Sequence, residues 1–354
     1  MQTTALRPAA AAASAHRPGA RIRVPVLGAG LGVVLAVSVL FAVTIGPAQI
    51  TFGEAWQSVF AHLGFGDPAL SPLRDGIIWQ LRMPRILTAG AVGAGLALCG
   101  AVMQALTRNP LADPYLLGLS SGASLGAVGV ILLGVGVLLP VAAFGGAIVA
   151  LAATLLVASA AGTLTPTRTI LAGLAVSSFF GALTSLAIFW SATGDTYREI
   201  LSWLLGSLSG AQWSSVAIAG AALAVVGVPL LFSGRVLDAF AFGDTAASAL
   251  GVSVTRTRWI MLTATALLTG ALVAVSGAIG FIGLILPHMV RLVVGRGNRR
   301  VLPLAALTGA IFLIWVDTAA RTVFDPRELP VGILTAAIGA PVFALLLLRS
   351  RSSS

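Results

Sequence analysis

The sequence predicts an all-α, polytopic membrane protein with about ten transmembrane helices. Of its 354 residues, 58% are hydrophobic and only 9% are charged, which is too little polar surface to coat a water-soluble globule of this length. Apolar stretches long enough to cross a lipid bilayer recur along the chain. Basic residues collect in alternate connections between these stretches. Lipid is therefore the expected solvent for most of the chain.

The apolar stretches predict the number of helices. A helix rises about 1.5 Å per residue, so about 20 residues cross the roughly 30 Å hydrocarbon layer. Ten stretches fit this length: 26–46, 86–106, 116–139, 141–161, 169–191, 212–232, 259–276, 278–294, 302–319 and 331–348. Only a short break with glycine or proline divides the third stretch from the fourth and the seventh from the eighth. The number of spans in each of these two pairs could therefore be miscounted.

All 21 basic residues are arginine, and their distribution predicts the orientation of the chain. Cytoplasmic loops of membrane proteins are enriched in arginine and lysine. With ten spans and a cytoplasmic N-terminus, 15 of the 21 arginines lie inside, and the net charge is +12 inside and −2 outside. Both termini are thus predicted to be cytoplasmic. The overall charge of +10 then reflects topology, and we expect no nucleic-acid partner.

The chain divides into two predicted parts. Residues 1–25, rich in alanine, arginine and proline, are predicted to form a disordered basic cytoplasmic tail, and residues 26–349 a transmembrane domain. A cleaved signal peptide is the alternative for the tail and first span, but an apolar run of about 20 residues exceeds the usual signal core. Gly118, Gly122 and Gly126 recur at helical spacing, which predicts close helix packing in the third span.

The residue types exclude several chemistries. Without lysine the chain has neither a phosphate-binding P-loop nor a Schiff-base amine. The single cysteine, Cys99, can form neither a disulfide within the chain nor a cysteine metal cluster. The isolated His288 favours structural hydrogen bonding over a metal site. We expect no metal site, no bound cofactor and no catalytic residue in this chain.

Five segments carry more information than their hydropathy. They are QLRMPR at 80–85, MQALTRNPLADPYLLGLSSGAS at 103–124, LDAFAFGDTAASALGVSV at 237–254, GAIGFIGLILPHMVRL at 277–292 and RELPVGILTAAIGAPVF at 327–343. Together they resemble the signature blocks of the FecCD-type permeases, the transmembrane subunits of ATP-driven importers for iron–siderophore complexes, haem and vitamin B12. The resemblance runs from about residue 30 to the C-terminus in the same order. It implies the fold of the vitamin B12 importer permease, a type II ABC importer.

The resemblance implies a coupling segment at about 237–254, where two short cytoplasmic helices dock on the ATPase subunit. An amphipathic surface helix that cannot bury its apolar face in its own bundle needs a groove on a partner, which agrees with this role. A solvated linker is the alternative. Asp244 replaces the glutamate usual at its position and keeps the charge. The implied coupling residues are Asp238, Phe240, Phe242, Asp244, Ala247, Leu250 and Gly251.

The resemblance also implies a docking site for a substrate-binding protein and a gate. Arg82, Arg85 and Arg321 match the outer-face positions that receive the binding protein's acidic residues, although Asp317 and Arg321 could instead pair along one helix. A cytoplasmic gate is implied at Thr165, Pro166 and Thr167. A plain helix start, with threonine as cap and proline in the first turn, explains the same residues.

The resemblance thus implies the permease subunit of a binding-protein-dependent ABC importer in the cytoplasmic membrane of a bacterium, working by ATP-driven alternating access. Ferric siderophores are the first expected cargo, with haem or vitamin B12 as the alternative. Its expected partners are ABC ATPase subunits, which use ATP and magnesium, a substrate-binding protein, and a second copy or a related permease as dimer partner. An ion-coupled secondary transporter is disfavoured, because no acidic residue lies deep in a span. A membrane enzyme lacks a catalytic constellation.

Overall fold

The computed structural model describes residues 24–66, 70–162, 165–191 and 193–351, and within these ranges the regular structure is entirely helical. The all-α prediction is confirmed. The helices are α1 (Val24–Thr44), α2 (Phe52–His62), α3 (Pro72–Thr107), α4 (Leu119–Leu132), α5 (Leu139–Ala160), α6 (Pro166–Ser191), α7 (Gly194–Leu204), α8 (Trp213–Phe232), α9 (Gly234–Phe240), α10 (Asp244–Ala249), α11 (Val254–Ser276), α12 (Ile282–Val294), α13 (Asn298–Ala320) and α14 (Val331–Arg351).

The ten predicted stretches each correspond to one helix. In the described ranges, α1, α3, α5, α6, α8, α11 and α13 are long and apolar enough to cross a membrane. Shorter apolar helices, α4, α12 and Val331–Leu346 of α14, occupy the other three stretches. Neither doubtful pair of stretches forms one longer helix. The first helix begins at Val24, so the last two residues of the predicted tail are helical, and residues 1–23 lie outside the described residues.

Helix α3 is the centre of the bundle, because small residues let its neighbours approach its backbone. A β-carbon on Gly93 would meet the carbonyl of Gly309 on α13, and one on Gly100 would meet the carbonyl of Gly283 on α12. Lipid provides no hydrophobic drive between helices, so such close approaches supply the dispersion contacts that hold them together. Accordingly, 78% of the residues in the most apolar part of α3 are buried inside the chain.

The predicted glycine packing of the third span is confirmed at two of three positions. Gly122 meets Gly146 on α5, and Gly126 meets the carbonyl of Ala142. Gly118 has a different role, because it precedes α4 with φ +80°, a backbone conformation that glycine adopts without steric cost. It ends the short 3-10 turn Pro114–Leu117 that joins α3 to α4.

An irregular segment, residues 277–281, lies inside the bundle between α11 and α12. Helix α12 begins against the middle of α3, where Gly283 meets Gly100. The Tyr115 hydroxyl donates to the carbonyl of Ile279 (3.0 Å) and accepts from its N–H (3.2 Å). The carbonyl of Ser276 accepts from Ser207 N–H at 2.9 Å. Irregular backbone is tolerated at membrane depth where protein satisfies its polar groups in this way.

Two amphipathic helices, α2 and α7, lie in connections where the hydropathy analysis placed none. A capping box begins α2: Thr51 Oγ1 accepts from Glu54 N–H (3.3 Å) and Glu54 Oε2 accepts from Thr51 N–H (2.8 Å). The bond from the Thr51 N–H lowers the pKa of Glu54. Thr-x-x-Glu is a helix-start signal, so the sequence does contain the information that predicts α2.

Candidate functional site

Arg82 and Arg321 together cap the end of α1. Arg82 Nη1 donates to the carbonyls of Val43 (2.7 Å) and Thr44 (3.1 Å), and its Nη2 donates to Ala48 (2.5 Å). Arg321 Nη2 donates to the carbonyl of Ala42 at 2.6 Å. The last carbonyls of a helix have no partner within it, and a cation is favourable at this negative end of the helix dipole. Both arginines therefore hold α1 onto α3 and α13.

Arg85 forms the most buried ion pair among the described residues. Its Nε donates to both Asp317 carboxylate oxygens at 2.9 and 3.1 Å, and its Nη1 donates to Glu328 Oε2 at 2.7 Å. The side chains of Arg85 and Asp317 are 10% and 1% exposed, whereas that of Glu328 is 41% exposed. Asp317 therefore pairs with Arg85 on α3 and not with Arg321 four residues along its own helix.

The three predicted docking arginines lie close together, but their guanidinium groups are turned into the protein. The residues Arg82, Arg85 and Arg321 are 5%, 8% and 4% exposed. The backbone of Arg82 lies in a π-helical turn, Ile77–Arg82, within α3. Other arginines of the same predicted outer side are exposed, namely Arg74, Arg198 and Arg327.

Helices α9 and α10 form the predicted coupling segment, and three of its named residues are structural. Phe240 and Ala247 are buried, at 1% and 0% exposure. Asp238 Oδ1 accepts from the N–H (2.6 Å) and the side-chain Nδ2 (2.9 Å) of Asn298, the first residue of α13. These contacts fix α9 to the rest of the bundle.

The remaining coupling residues lie on or next to an exposed surface, which bonds at the end of α10 and an ion pair to α11 hold in place. Phe242 and Leu250 are 77% and 67% exposed. Gly251, with φ +84°, ends α10 in a Schellman motif, in which Val252 N–H donates to Ala247 (3.0 Å) and Gly251 N–H to Ser248 (2.9 Å). Both Asp244 carboxylate oxygens accept from Arg258 Nη2 on α11 at 3.0 Å. We call Phe242, Leu250 and Gly251 the coupling surface.

The predicted gate residues have the geometry of a helix start. Pro166 is the first residue of α6, and Thr165 Oγ1 accepts from the N–H of Arg168 at 3.3 Å. The carbonyl of Thr165 accepts from the N–H and the hydroxyl of Thr169, both at 3.0 Å. Thr167 is exposed on the first turn. Residues 163 and 164, which precede this helix start, lie outside the described residues.

Several polar residues that bind the bundle together escaped the sequence analysis. Gln104 Nε2 donates to the carbonyls of Gly283 (3.2 Å) and Leu284 (2.9 Å), and Arg291 Nη2 donates to Ala101 at 3.1 Å. Within the described residues the His288 imidazole makes no hydrogen bond, so the predicted structural bond of this side chain is not observed. No group of three potential metal ligands occurs among the described residues. Local spacing could not reveal these contacts, because each joins distant segments.

A model of the FecCD transport family matches residues 34–349. The chain belongs to the FecCD transport family. It is 43% identical over 324 residues to YvrB of Bacillus subtilis (strain 168), an uncharacterized ABC transporter permease, with 89% of this chain and 91% of the relative covered. It is 44% identical over 280 residues to FecD of Escherichia coli (strain K12), an Fe(3+) dicitrate transport system permease, with 78% and 86% covered.

Two further comparisons concern cargo class and fold. This FecCD chain is 38% identical over 326 residues to BtuC of Vibrio cholerae, a vitamin B12 import system permease, with 91% and 93% covered. A solved chain assigned as a metal-chelate type ABC transporter in an inward-facing conformation matches with a TM-score of 0.80 and 33% identity over 92% of this chain and 99% of that one. The protein is an ABC importer permease of FecCD type. This family implies ATPase and binding-protein partners and a permease dimer.

The buried Arg85–Asp317 pair supports a prediction on the stability of this FecCD permease. We expect Arg85→Gln to lower the free energy of unfolding by about 3–5 kcal/mol, because it leaves the Asp317 carboxylate buried without its counter-charge. The double variant Arg85→Gln/Asp317→Asn should recover most of that loss. Unfolding of the purified chain in detergent measures both effects.

Arg74→Gln is the matched control, because it removes the exposed partner of Glu54 in another arginine–carboxylate pair. Exposed pairs contribute about 0–1 kcal/mol, so this variant should unfold almost as the wild type does. Equal losses in the Arg85 and Arg74 variants would contradict the importance assigned to burial.

Proposed function

We propose that this permease carries ferric siderophores across the cytoplasmic membrane of a bacterium, in an importer driven by ATP and supplied by a substrate-binding protein. The observation that supports this cargo most directly is the 44% identity to an Fe(3+) dicitrate permease. The match to a metal-chelate type transporter over nearly the whole of both chains points to the same class. Vitamin B12 is the second candidate, because relatives named for its import cover 91% of this chain. Haem is the remaining alternative.

Uptake by a deletion strain tests the cargo. Loss of the gene should abolish uptake of a ⁵⁵Fe-labelled siderophore and leave uptake of ⁵⁷Co-labelled vitamin B12 and of haem unchanged. The matched control is the same strain with the gene restored on a plasmid. Loss of vitamin B12 or haem uptake with normal siderophore uptake would transfer the proposal to that cargo.

The coupling surface is the part of this chain that we assign to contact with the ATPase. Phe242 lies in the turn between α9 and α10, and Leu250 follows the last residue of α10. Asp238, Phe240 and Ala247 fix these two helices to the bundle, so the exposed apolar side chains have a rigid support. Burial of exposed apolar side chains in a partner's groove is the usual recognition mode of such a helix. We assign this partner as the ABC ATPase, which binds ATP and magnesium, while this chain binds neither. Asp244 keeps α10 on α11 through Arg258.

Replacing Gly251 should uncouple transport from ATP hydrolysis. We expect Gly251→Val to lower ATP-driven uptake at least tenfold with normal membrane insertion, because valine is strained at φ +84° and would distort the end of α10. Uptake into proteoliposomes that contain the ATPase measures the effect. Gly64→Val is the matched control, since Gly64 has φ +88°, open space around it and a place in the opposite connection. Preserved uptake in Gly251→Val would refute the assignment.

We assign binding-protein docking to the outer end of α3 and α13, around Arg82, Arg85 and Arg321. Arginine is suited to this role, because its guanidinium group stays charged and can bind a carboxylate through two donors. In this conformation Arg82 and Arg321 are occupied by the carbonyls of α1. Acidic residues of a docked protein would therefore compete with the end of α1 for these donors, which links docking to a movement of α1.

Charge reversal tests whether the buried or the exposed arginines dock the binding protein. Arg82→Glu/Arg85→Glu should lower capture of the binding protein at least tenfold in a pull-down with the purified permease. Arg198→Glu/Arg327→Glu, an exposed pair of equal charge on the same predicted side, is the control and should lower capture by less than about threefold, because exposed pairs contribute little. Thermal unfolding of each variant identifies any loss caused by misfolding. The reverse pattern of capture would assign docking to the exposed arginines.

The gate and the dimer complete the proposal. Thr165, Pro166 and Thr167 begin α6 at the predicted cytoplasmic end, and short hydroxylated residues can line a constriction without placing a charge in it.

The dimer contact is assigned to α6. Only 22% of the residues in the most apolar part of this helix are buried within the chain, and large side chains such as Leu174 and Phe179 are exposed. We assign part of this surface to the partner permease, either a second copy or a related chain.

A further inference from the structure

A basic pocket opens at the end of the bundle that carries α9 and α10. Its volume is 370 Å³, and its polar lining consists of Gln104, Arg108, His288, Arg291, Arg296 and Asn298. These residues come from the end of α3 and the residue after it, from α12, from the connection between α12 and α13, and from the first residue of α13. We propose that this pocket, here called the basic pocket, binds the phosphate group of an anionic phospholipid such as phosphatidylglycerol.

The charge of the basic pocket calls for an anion. No carboxylate lies among the described residues that line it. Arg291 and Arg296 both line the pocket and repel each other, so two like charges lie close together there. The carboxylate of Asp238 interacts with Arg291 but already accepts two bonds from Asn298. Within the described chain the guanidinium groups of Arg108 and Arg296 have no hydrogen-bond or ion-pair partner. A phosphate can accept paired donors from several arginines at once.

The backbone at Arg108 has a conformation that disfavours an arginine. Arg108 ends α3 with φ +52° and ψ +30°, a left-handed conformation that a helix end usually assigns to glycine. Strain of this kind is concentrated at functional sites. Gly243, at φ +96°, lies beside the guanidinium group, and a β-carbon there would come within 3.3 Å of Arg108 Nη1. The chain thus keeps a side chain at position 108 and leaves the space for it at position 243.

A lipid fits the surroundings of the basic pocket better than a soluble anion does. Leu292 lines the pocket and is 64% exposed, and Val293 beside it on α12 is 58% exposed. A ligand with a phosphate and an acyl chain can contact the arginines and this apolar flank together. Basic pockets between transmembrane helices on the cytoplasmic side bind lipid headgroups in this way. The lipid assignment rests on the orientation predicted from the arginines, which places this end of the bundle at the inner leaflet, and not on the proposed cargo.

Lipid retention tests the proposal in the full-length chain. The purified permease is equilibrated in detergent with equal amounts of phosphatidylglycerol and phosphatidylcholine, and the retained lipid is counted by native mass spectrometry. We expect the wild type to retain phosphatidylglycerol selectively and Arg108→Gln/Arg296→Gln to retain it at least about 10-fold more weakly. Arg256→Gln/Arg300→Gln is the control, because it removes two exposed arginines from the same end but outside the pocket. It should retain phosphatidylglycerol within about twofold of the wild type.

Four results would overturn the proposal. Equal loss in the two variant pairs would show diffuse surface charge, and no loss in either would show that the pocket binds no lipid. Displacement of the lipid by millimolar glycerol phosphate or inorganic phosphate would assign the pocket to a soluble anion. Displacement of one lipid for each bound ATPase would assign it to an acidic segment of that partner. Thermal unfolding in phosphatidylcholine alone shows whether each variant is folded, and failure of the uptake experiment would leave the lipid result unaffected.

Discussion

The structure depends on one constraint: backbone carbonyls that a helix end or a proline leaves without a donor inside the bundle must find one elsewhere, because hydrocarbon offers none. Arg82 and Arg321 satisfy the end of α1, and Gln104 satisfies Gly283, whose partner four residues on would be Pro287, a residue without an N–H. Arg291 adds a bond to the carbonyl of Ala101 within α3. Each donor belongs to a different helix from its acceptors. The polar bonds that satisfy the backbone therefore also determine which helices are neighbours, while close glycine contacts supply the remaining attraction.

The sequence could predict the spans because their signal is local. An apolar run of sufficient length is enough to find the ten long or apolar helices of the described residues, including the short α12 after an irregular break. The boundaries were less accurate, since α4 is much shorter than the predicted 116–139. Helices α2 and α7 were missed because amphipathic helices in a connection do not resemble spans. The capping box at Thr51 and Glu54 shows that a search for helix starts would have found α2.

The sites divide in the same way. The resemblance to the FecCD-type permeases implied two short helices at about 237–254, and α9 and α10 lie there. The local sequence pattern could not predict which residues of the segment are buried and which are exposed. Phe240 and Ala247 are buried, whereas Phe242 and Leu250 are exposed. The partner of Arg85 lies 232 positions away at Asp317, and the acceptors of Arg82 are backbone carbonyls. The spacing of residue types along the sequence predicts neither of these two contacts.

The brace formed by Arg258 gives α10 a mechanical connection to the interior. Arg258 binds Asp244, lies 5.7 Å from the ring centroid of Phe240, and belongs to α11. A displacement of α10 would therefore also displace the start of α11. Helix α11 ends at Ser276, where the irregular segment begins. That far end is tethered to Ser207 and, through Ile279, to Tyr115. A movement of α10 would therefore reach the irregular segment inside the bundle through contacts of the protein alone.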